Sequence, residues 1–263
     1  TSSTNYASER EPVLLTQSDD FVYVDTGDLV KEPFNAVIKI EDVEVVEKNK
    51  VEIIKSVPVW NNIRSIGESV VKQQMIVPSH KEINVYEVGA MLEAGVTEIE
   101  VYKKPKLSII PTGSELVKPD EKKQKGQLVD FNTNMLKLTG QNWGCEVQDS
   151  KIVQDNYEQI KQAVINAVED SDITIINAGS SAGKEDYTLN ILKDLGKVYV
   201  HGVDIMPGKP LIIAEIKGKP VFGIPGYPLS ALLDFHLFVK PLVKRILGLN
   251  YEKPVSLKAK IKK

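Results

Sequence analysis

From about residue 105 onward the chain alternates short apolar runs with amphipathic stretches, and this alternation narrows the choice of folds more than any other feature of the sequence. Leu107 to Ile110 reads as a strand, Asn132 to Thr139 as a helix stopped by Gly140, and Glu146 to Val153 as a second strand. Tyr157 to Val168 follows as a helix with Ile160, Ala163, Val164 and Ala167 on one face. Next come a strand at Ile173 to Ile176, a helix from Tyr187 to Leu195 and a strand from Val198 to His201. Leu211 to Glu215 and Pro220 to Gly223 form a predicted β-hairpin joined at Lys217-Gly218, and a final amphipathic helix runs from about Leu229 to Leu247. Strands and helices in this order predict an α/β fold, a mostly parallel sheet with flanking helices.

The preceding segment has a different texture. Phe21 to Val24, Ala36 to Ile40, Val51 to Ile54 and Glu98 to Val101 are short β-rich runs separated by turn residues, with Thr26-Gly27-Asp28 the clearest turn. One helix, near Val85 to Ala94, ends at Gly95. A smaller β-rich region therefore precedes the α/β part.

Composition removes several classes of function. No apolar stretch approaches the roughly 20 residues that a bilayer-spanning helix needs, which predicts a soluble, cytoplasmic protein with no membrane partner. The single cysteine, Cys145, excludes an intrachain disulfide, and His80, His201 and His236 lack metal-ligand spacing. A net charge of −3 and the lack of basic tracts interleaved with aromatics argue against nucleic acid as a partner. An anionic ligand would have to be held by local features.

In an open α/β sheet, ligands sit outside the carboxyl ends of the strands. After Leu107 to Ile110 comes Pro111-Thr112-Gly113-Ser114-Glu115, and after Glu146 to Val153 comes Asp155. The run Ile173 to Ile176 leads into Asn177-Ala178-Gly179-Ser180-Ser181-Ala182-Gly183-Lys184-Glu185-Asp186-Tyr187-Thr188. Small residues, then a lysine, an aspartate and a helix start, suit a phosphorylated ligand. After Val198 to His201 come Asp204 and Met206-Pro207-Gly208-Lys209-Pro210. Carboxylates and lysines would thus converge on one edge, as oxygen ligands for a divalent metal beside phosphate groups require. Each carboxylate taken alone is equally at home as a helix cap or a solvated loop residue. The loop Gly223-Ile224-Pro225-Gly226-Tyr227-Pro228-Leu229-Ser230-Ala231 is stiffened by proline at a helix start, where amide N–H groups can face an anion or simply make a turn.

Five segments in order carry a family resemblance: Thr112-Gly113-Ser114-Glu115-Leu116, Asp130-Phe131-Asn132, Gly179 to Thr188, Pro207-Gly208-Lys209-Pro210 and Pro225 to Ala231. Together with Val24-Asp25-Thr26-Gly27-Asp28, Asn62-Ile63-Arg64 and Gly67-Glu68 upstream, they resemble the molybdopterin molybdenumtransferase family, which includes bacterial MoeA and the gephyrin E domain. The resemblance covers nearly the whole chain. It implies a β-rich domain over 1–75, part of a linking α/β domain over 76–104, a molybdopterin-binding α/β domain over 105–250 and, over 251–263, the start of a truncated C-terminal β-domain.

The resemblance also implies a chemistry: insertion of molybdate into adenylylated molybdopterin, with hydrolysis of the adenylate assisted by Mg²⁺. By family position, Glu115, Asp155 and Asp186 take metal and catalytic duty, and Thr26 reaches the site of the partner subunit in a homodimer. Thr112, Gly113, Ser181, Gly183, Lys184, Lys209, Pro225, Gly226, Tyr227 and Ser230 line the pterin and phosphate pocket. A molybdopterin adenylyltransferase is an implied partner. The chain departs from the family pattern at Thr4, Ser69 and Ser114, each in place of an acidic residue, and at Tyr227, in place of asparagine. Two other readings stay open: a non-catalytic pterin-binding or scaffold module, and the related molybdopterin adenylyltransferase.

Overall fold

A computed structural model describes residues 4–148, 151–178 and 185–250, with backbone only at 185 and 186. The chain forms two compact units, one of residues 1–77 and 84–97, the other of residues 78–83 and 98–263.

The first unit holds a three-stranded antiparallel sheet of β1 (Val13–Thr16), β2 (Glu44–Glu47) and β3 (Lys50–Ile53), in the order β1-β3-β2. Its small core gathers Ala7, Leu15, Val51 and Ile53. Helix α1 (Val85–Glu93) starts with a capping box: the Asn84 side chain accepts the N–H of Glu87, whose carboxylate accepts the N–H of Asn84. Gly95 follows the helix, as the sequence predicts.

Three predicted strands do not form. Phe21 makes a single bridge to Gln17, and Phe21 to Val24 is otherwise outside any ladder. Ala36 to Ile40 leads into a 3-10 turn, Ile40–Asp42, and Glu98 to Val101, which belongs to the second unit, pairs with no described strand. β-branched residues favour an extended chain, but a strand exists only where another strand offers its backbone groups. Here β3 uses its two edges on β1 and β2.

The second unit is built on six strands: β4 (Lys106–Thr112), β7 (Glu146–Gln148), β8 (Ile173–Ala178), β9 (Lys197–His201), β10 (Ile212–Ile216) and β11 (Lys219–Pro225). Their order is β7-β4-β8-β11-β10-β9. The first three pairings are parallel, and the β11–β10 and β10–β9 pairings are antiparallel, so the sheet is mixed but mostly parallel. A two-stranded ribbon, β5 (Leu116–Val117) with β6 (Leu128–Val129), projects after β4. Lys217 and Gly218 both take positive φ, 52° and 77°, which suits the tight turn between β10 and β11.

Side chains alternate across the sheet. Leu107, Ile109, Ile173, Ile175, Phe222 and Ile224 pack with Leu136 of α2 (Asn132–Asn142) and with Ala231, Phe235, Val239 and Val243 of the C-terminal helix. Ile110, Ile176, Val221, Ile212 and Ala214 pack on the other face with Ile160, Val164 and Val168 of α3 (Tyr157–Asp170) and Ile191 and Leu192 of α4 (Glu185–Leu195). Each such side chain contributes about 1.5–3 kcal/mol by leaving water, so the two helical layers hold the sheet rigid.

Three local readings need correction. Helix α2 runs through Gly140 to Asn142, because Asn132, Leu136 and Gly140 share the buried face and packing on β4 overrides the weak helix preference of glycine. The strand expected over Glu146 to Val153 is shorter: β7 ends at Gln148, residues 149–150 lie outside the described residues, and Val153 rejoins β4 through one bridge to Thr112. The last helix is interrupted. α5 (Pro228–Asp234) passes into a π-helical turn, Phe235–Val239, before α6 (Lys240–Ile246). No described helix is long and apolar enough to cross a membrane.

Candidate functional site

The parallel strands end together. Thr112 of β4 is paired with Ala178 of β8, and Ala178 with Pro225 of β11, so three of the chain-predicted loops leave the sheet side by side. The two antiparallel pairings turn β9 back to the direction of β11, which brings the loop after His201 to the same edge. Sheet topology alone therefore brings the strand ends Thr112, Ala178, His201 and Pro225 to one edge, and the bridge from Thr112 to Val153 adds the segment containing Asp155.

At the first loop, Gly113 donates its N–H to the carbonyl of Val153 at 3.0 Å. Ser114 and Asp155 then exchange bonds: the Ser114 N–H donates to Asp155 Oδ2 at 2.8 Å, and the Asp155 N–H donates to Ser114 Oγ at 3.1 Å. The Glu115 side chain is half-buried and folds back over Gly113. Glu115 and Asp155 thus stand on neighbouring, mutually tied loops. Asp186 is the second residue of α4, and its side chain, like Ser181, Gly183 and Lys184, lies outside the described residues. Among the described residues no three His, Cys, Asp or Glu side chains form a metal cluster.

The loop after β11 is held by a buried amide pair. Asn132, at the start of α2, donates Nδ2 to the Gly226 carbonyl at 2.7 Å and to Asn177 Oδ1 at 3.3 Å, while Asn177 Nδ2 donates to the Pro225 carbonyl at 3.0 Å. Asn132 Oδ1 is buried and accepts no bond from the described residues. Pro228 occupies the first turn of α5, where its missing N–H costs nothing, and Ser230 is buried while Tyr227 is exposed. Asp130, 8% exposed, accepts the N–H of Thr133 and fixes the start of α2.

The loop after β9 is pinned by the Gly202 N–H on the Leu211 carbonyl at 2.7 Å and the Val203 N–H on the Lys209 carbonyl at 2.9 Å. Gly208 is buried and Lys209 exposed. Thr26 belongs to the first unit, at an exposed turn closed by the Asp28 N–H on the Asp25 carbonyl.

Asn132, Asn177 and Asp234 were not among the sequence-predicted site residues. Asp234 is fully buried, neither of its oxygens has a hydrogen-bond partner among the described residues, and burial pushes its carboxyl up to about 7. A sign of it stood in the sequence: Asp234 occupies a core-facing position in the apolar series Ala231, Phe235 and Val239, where charge is costly.

An α/β sheet whose strand ends, and the loops that follow them, gather at the carboxyl edge defines a domain of the open-sheet α/β class, in which that edge is the place for a ligand. Residues 108–245 match the family described as "Probable molybdopterin binding domain", and residues 1–95 match "MoeA N-terminal region (domain I and II)". The chain belongs to the MoeA family.

The chain is 30% identical over 243 residues to the molybdopterin molybdenumtransferase of Haemophilus influenzae, covering 92% of this chain and 60% of that one. It is 33% identical over 249 residues to a Methanocaldococcus jannaschii protein named for molybdopterin biosynthesis, covering 89% and 62%. The crystal structure of a molybdopterin biosynthesis MoeA protein from Pyrococcus horikoshii superposes with a TM-score of 0.69 at 33% identity, covering 94% of this chain and 66% of that one. The chain spans about three fifths of the length of the curated relatives it matches.

Proposed function

We propose that the protein acts in molybdenum cofactor biosynthesis, inserting molybdate into adenylylated molybdopterin with hydrolysis of the adenylate. Family membership supports this reading, and one observation carries it: the loops at Thr112 to Glu115, Asp155, Gly202 to Leu211 and Pro225 to Tyr227 leave one sheet edge, two of them tied by the Ser114–Asp155 pair. In this reading Thr112, Gly113, Ser181, Gly183, Lys184, Lys209, Pro225, Gly226, Tyr227 and Ser230 line the pterin and phosphate pocket. Lys184 and Lys209 offset the ligand's negative charge. The Asn132–Gly226 bond holds the last loop in place before ligand arrives, so its ordering costs little on binding.

Glu115, Asp155 and Asp186 are the proposed metal ligands. Their hard carboxylate oxygens fit Mg²⁺, and the pairing of Asp155 with Ser114 orients one of them without using a second side-chain charge. Bound there, Mg²⁺ would neutralise phosphate oxygens during adenylate hydrolysis. We further propose the division 1–75, 76–104, 105–250 and 251–263, a homodimer in which Thr26 serves the partner's site, interaction with a molybdopterin adenylyltransferase, and a cytoplasmic location.

The test is a molybdate-insertion assay on the full-length gene product with adenylylated molybdopterin and Mg²⁺. Metal-dependent insertion is the expected result. Tight ligand binding without insertion would replace this reading by a binding or scaffold module, which Thr4 and Ser69, each in place of an acidic residue of the family pattern, would favour. ATP-dependent adenylylation would point to the adenylyltransferase instead.

A further inference from the structure

Asp234 lies against the lysine-bearing loop. A Cβ on Gly208 would run into Asp234 Oδ1 and into Ile205, and Gly208 has φ +118°, a conformation other residues rarely take. Loop and carboxyl are therefore shaped to each other, with Lys209 one residue beyond the contact. Asp234 is also the last residue of α5 before the π-helical turn, and such insertions recur at functional sites.

We propose that Asp234 is a positioning residue for the loop of residues 203–210: whether it carries a proton decides how Gly208 seats upon it, and so where Lys209 is presented to an anionic ligand. The inference rests on the reading of that loop as part of the anion pocket. Protonated, the side chain is neutral and tolerates a dry seat beneath Gly208. Ionised, it demands hydration or a donor, which the closed loop does not offer, and the loop must lift.

Among the described residues neither side-chain oxygen of Asp234 is hydrogen-bonded to a charged group. Burial is what raises the carboxyl, to about 7, which places the change within the physiological range. On the same helix, His236 is turned onto Trp143 at 5.0 Å between ring centroids, and Lys240 lies over the same indole at 5.6 Å. Lys244 and Arg245 lie in the last turn of α6. On the loop, Asp204 and Lys209 are exposed. On α2, Lys137 lines a cleft with Lys118 and Asp120, and Lys219 of β11 bonds the Val168 carbonyl at the opposite end of the sheet.

The test follows the Gly208 and Lys209 amide resonances of the full chain, labelled with ¹⁵N-glycine and ¹⁵N-lysine, between about pH 5.5 and 8.5. In the wild type both should move through one single-proton transition near neutrality, and Asp234→Asn should hold them at the low-pH position throughout. In parallel, affinity for adenosine monophosphate should fall several-fold from about pH 6 to 8, at most about tenfold per pH unit, and that fall should shrink in Asp234→Asn. No transition in the wild type, or an unchanged one in Asp234→Asn, overturns the proposal, as does a transition with no effect on nucleotide affinity. An amide transition with no nucleotide binding at any pH leaves the seat intact and overturns the pocket reading. Should Asp234→Asn fail to fold, Asp234→Ser makes the same comparison.

Discussion

Ser114 and Asp155 hold each other by two bonds, backbone N–H to carboxylate at 2.8 Å and backbone N–H to hydroxyl at 3.1 Å, across 41 positions of sequence. The pair ties the loop after β4 to the segment that returns to β4 at Val153. A serine at 114, where the family resemblance leads one to expect an acid, therefore has a local role: its hydroxyl satisfies the Asp155 N–H without placing a second carboxylate beside the first.

Ser114→Ala removes one half of that pair and leaves the other. Because the pair is exposed, the loss should be only about 0.5–1.5 kcal/mol in thermal or urea unfolding. Ligand affinity should drop more than stability does, since Asp155 is less well oriented, and calorimetric titration of the variant measures that difference.

Asp186→Asn should abolish molybdate insertion while leaving the fold intact. An unchanged circular dichroism melt together with lost turnover is the expected pair of results. Full activity would remove Asp186 from the metal site.

Asn132→Leu should release the Pro225 to Tyr227 loop. It deletes the 2.7 Å bond to the Gly226 carbonyl and leaves Asn177 Oδ1 without that donor, a loss of roughly 1–3 kcal/mol. Asn132→Asp should be worse, because a carboxylate would face two acceptor oxygens. Amide hydrogen exchange at Gly226 and Tyr227 would show the loop opening in both variants.

Asp234 links stability to pH. Its carboxyl is raised from an ordinary 3.8 to about 7 in the fold, so the folded chain binds the extra proton between those values. Its contribution is fully present below about pH 4 and is lost as pH rises through about 7. The whole change is on the order of 4 kcal/mol, at 1.36 kcal/mol for each pH unit of the rise. Urea unfolding of the wild type and Asp234→Asn at about pH 4 and pH 8 isolates this contribution, because all other groups cancel in the comparison. Parallel pH dependences in the two proteins would contradict it.

Much of the α/β unit was legible because its signals are local. The apolar face of α3, with Ile160 and Val164, and the Lys217-Gly218 turn are dictated by residues a few positions apart. That the loops share one sheet edge followed from that alternation, since a helical crossover returns the chain to begin the next parallel strand from the same side; their order along the edge did not. The first unit was less legible: Phe21 to Val24 and Ala36 to Ile40 have strand-like residues, but pairing is a matter between distant segments, and β3 pairs with Val13–Thr16 and Glu44–Glu47 instead.

By itself the sequence determined the layered α/β architecture, the family and the carboxyl edge at which the loops gather, because hydrophobic period and glycine-proline punctuation act over a few residues. Only the tertiary structure decided that Ser114 would clasp Asp155, that Asn132 would hold Gly226, and that Gly208 would rest on Asp234. Each of those contacts joins segments more than 20 residues apart, and each depends on close packing between surfaces whose registry no local pattern records.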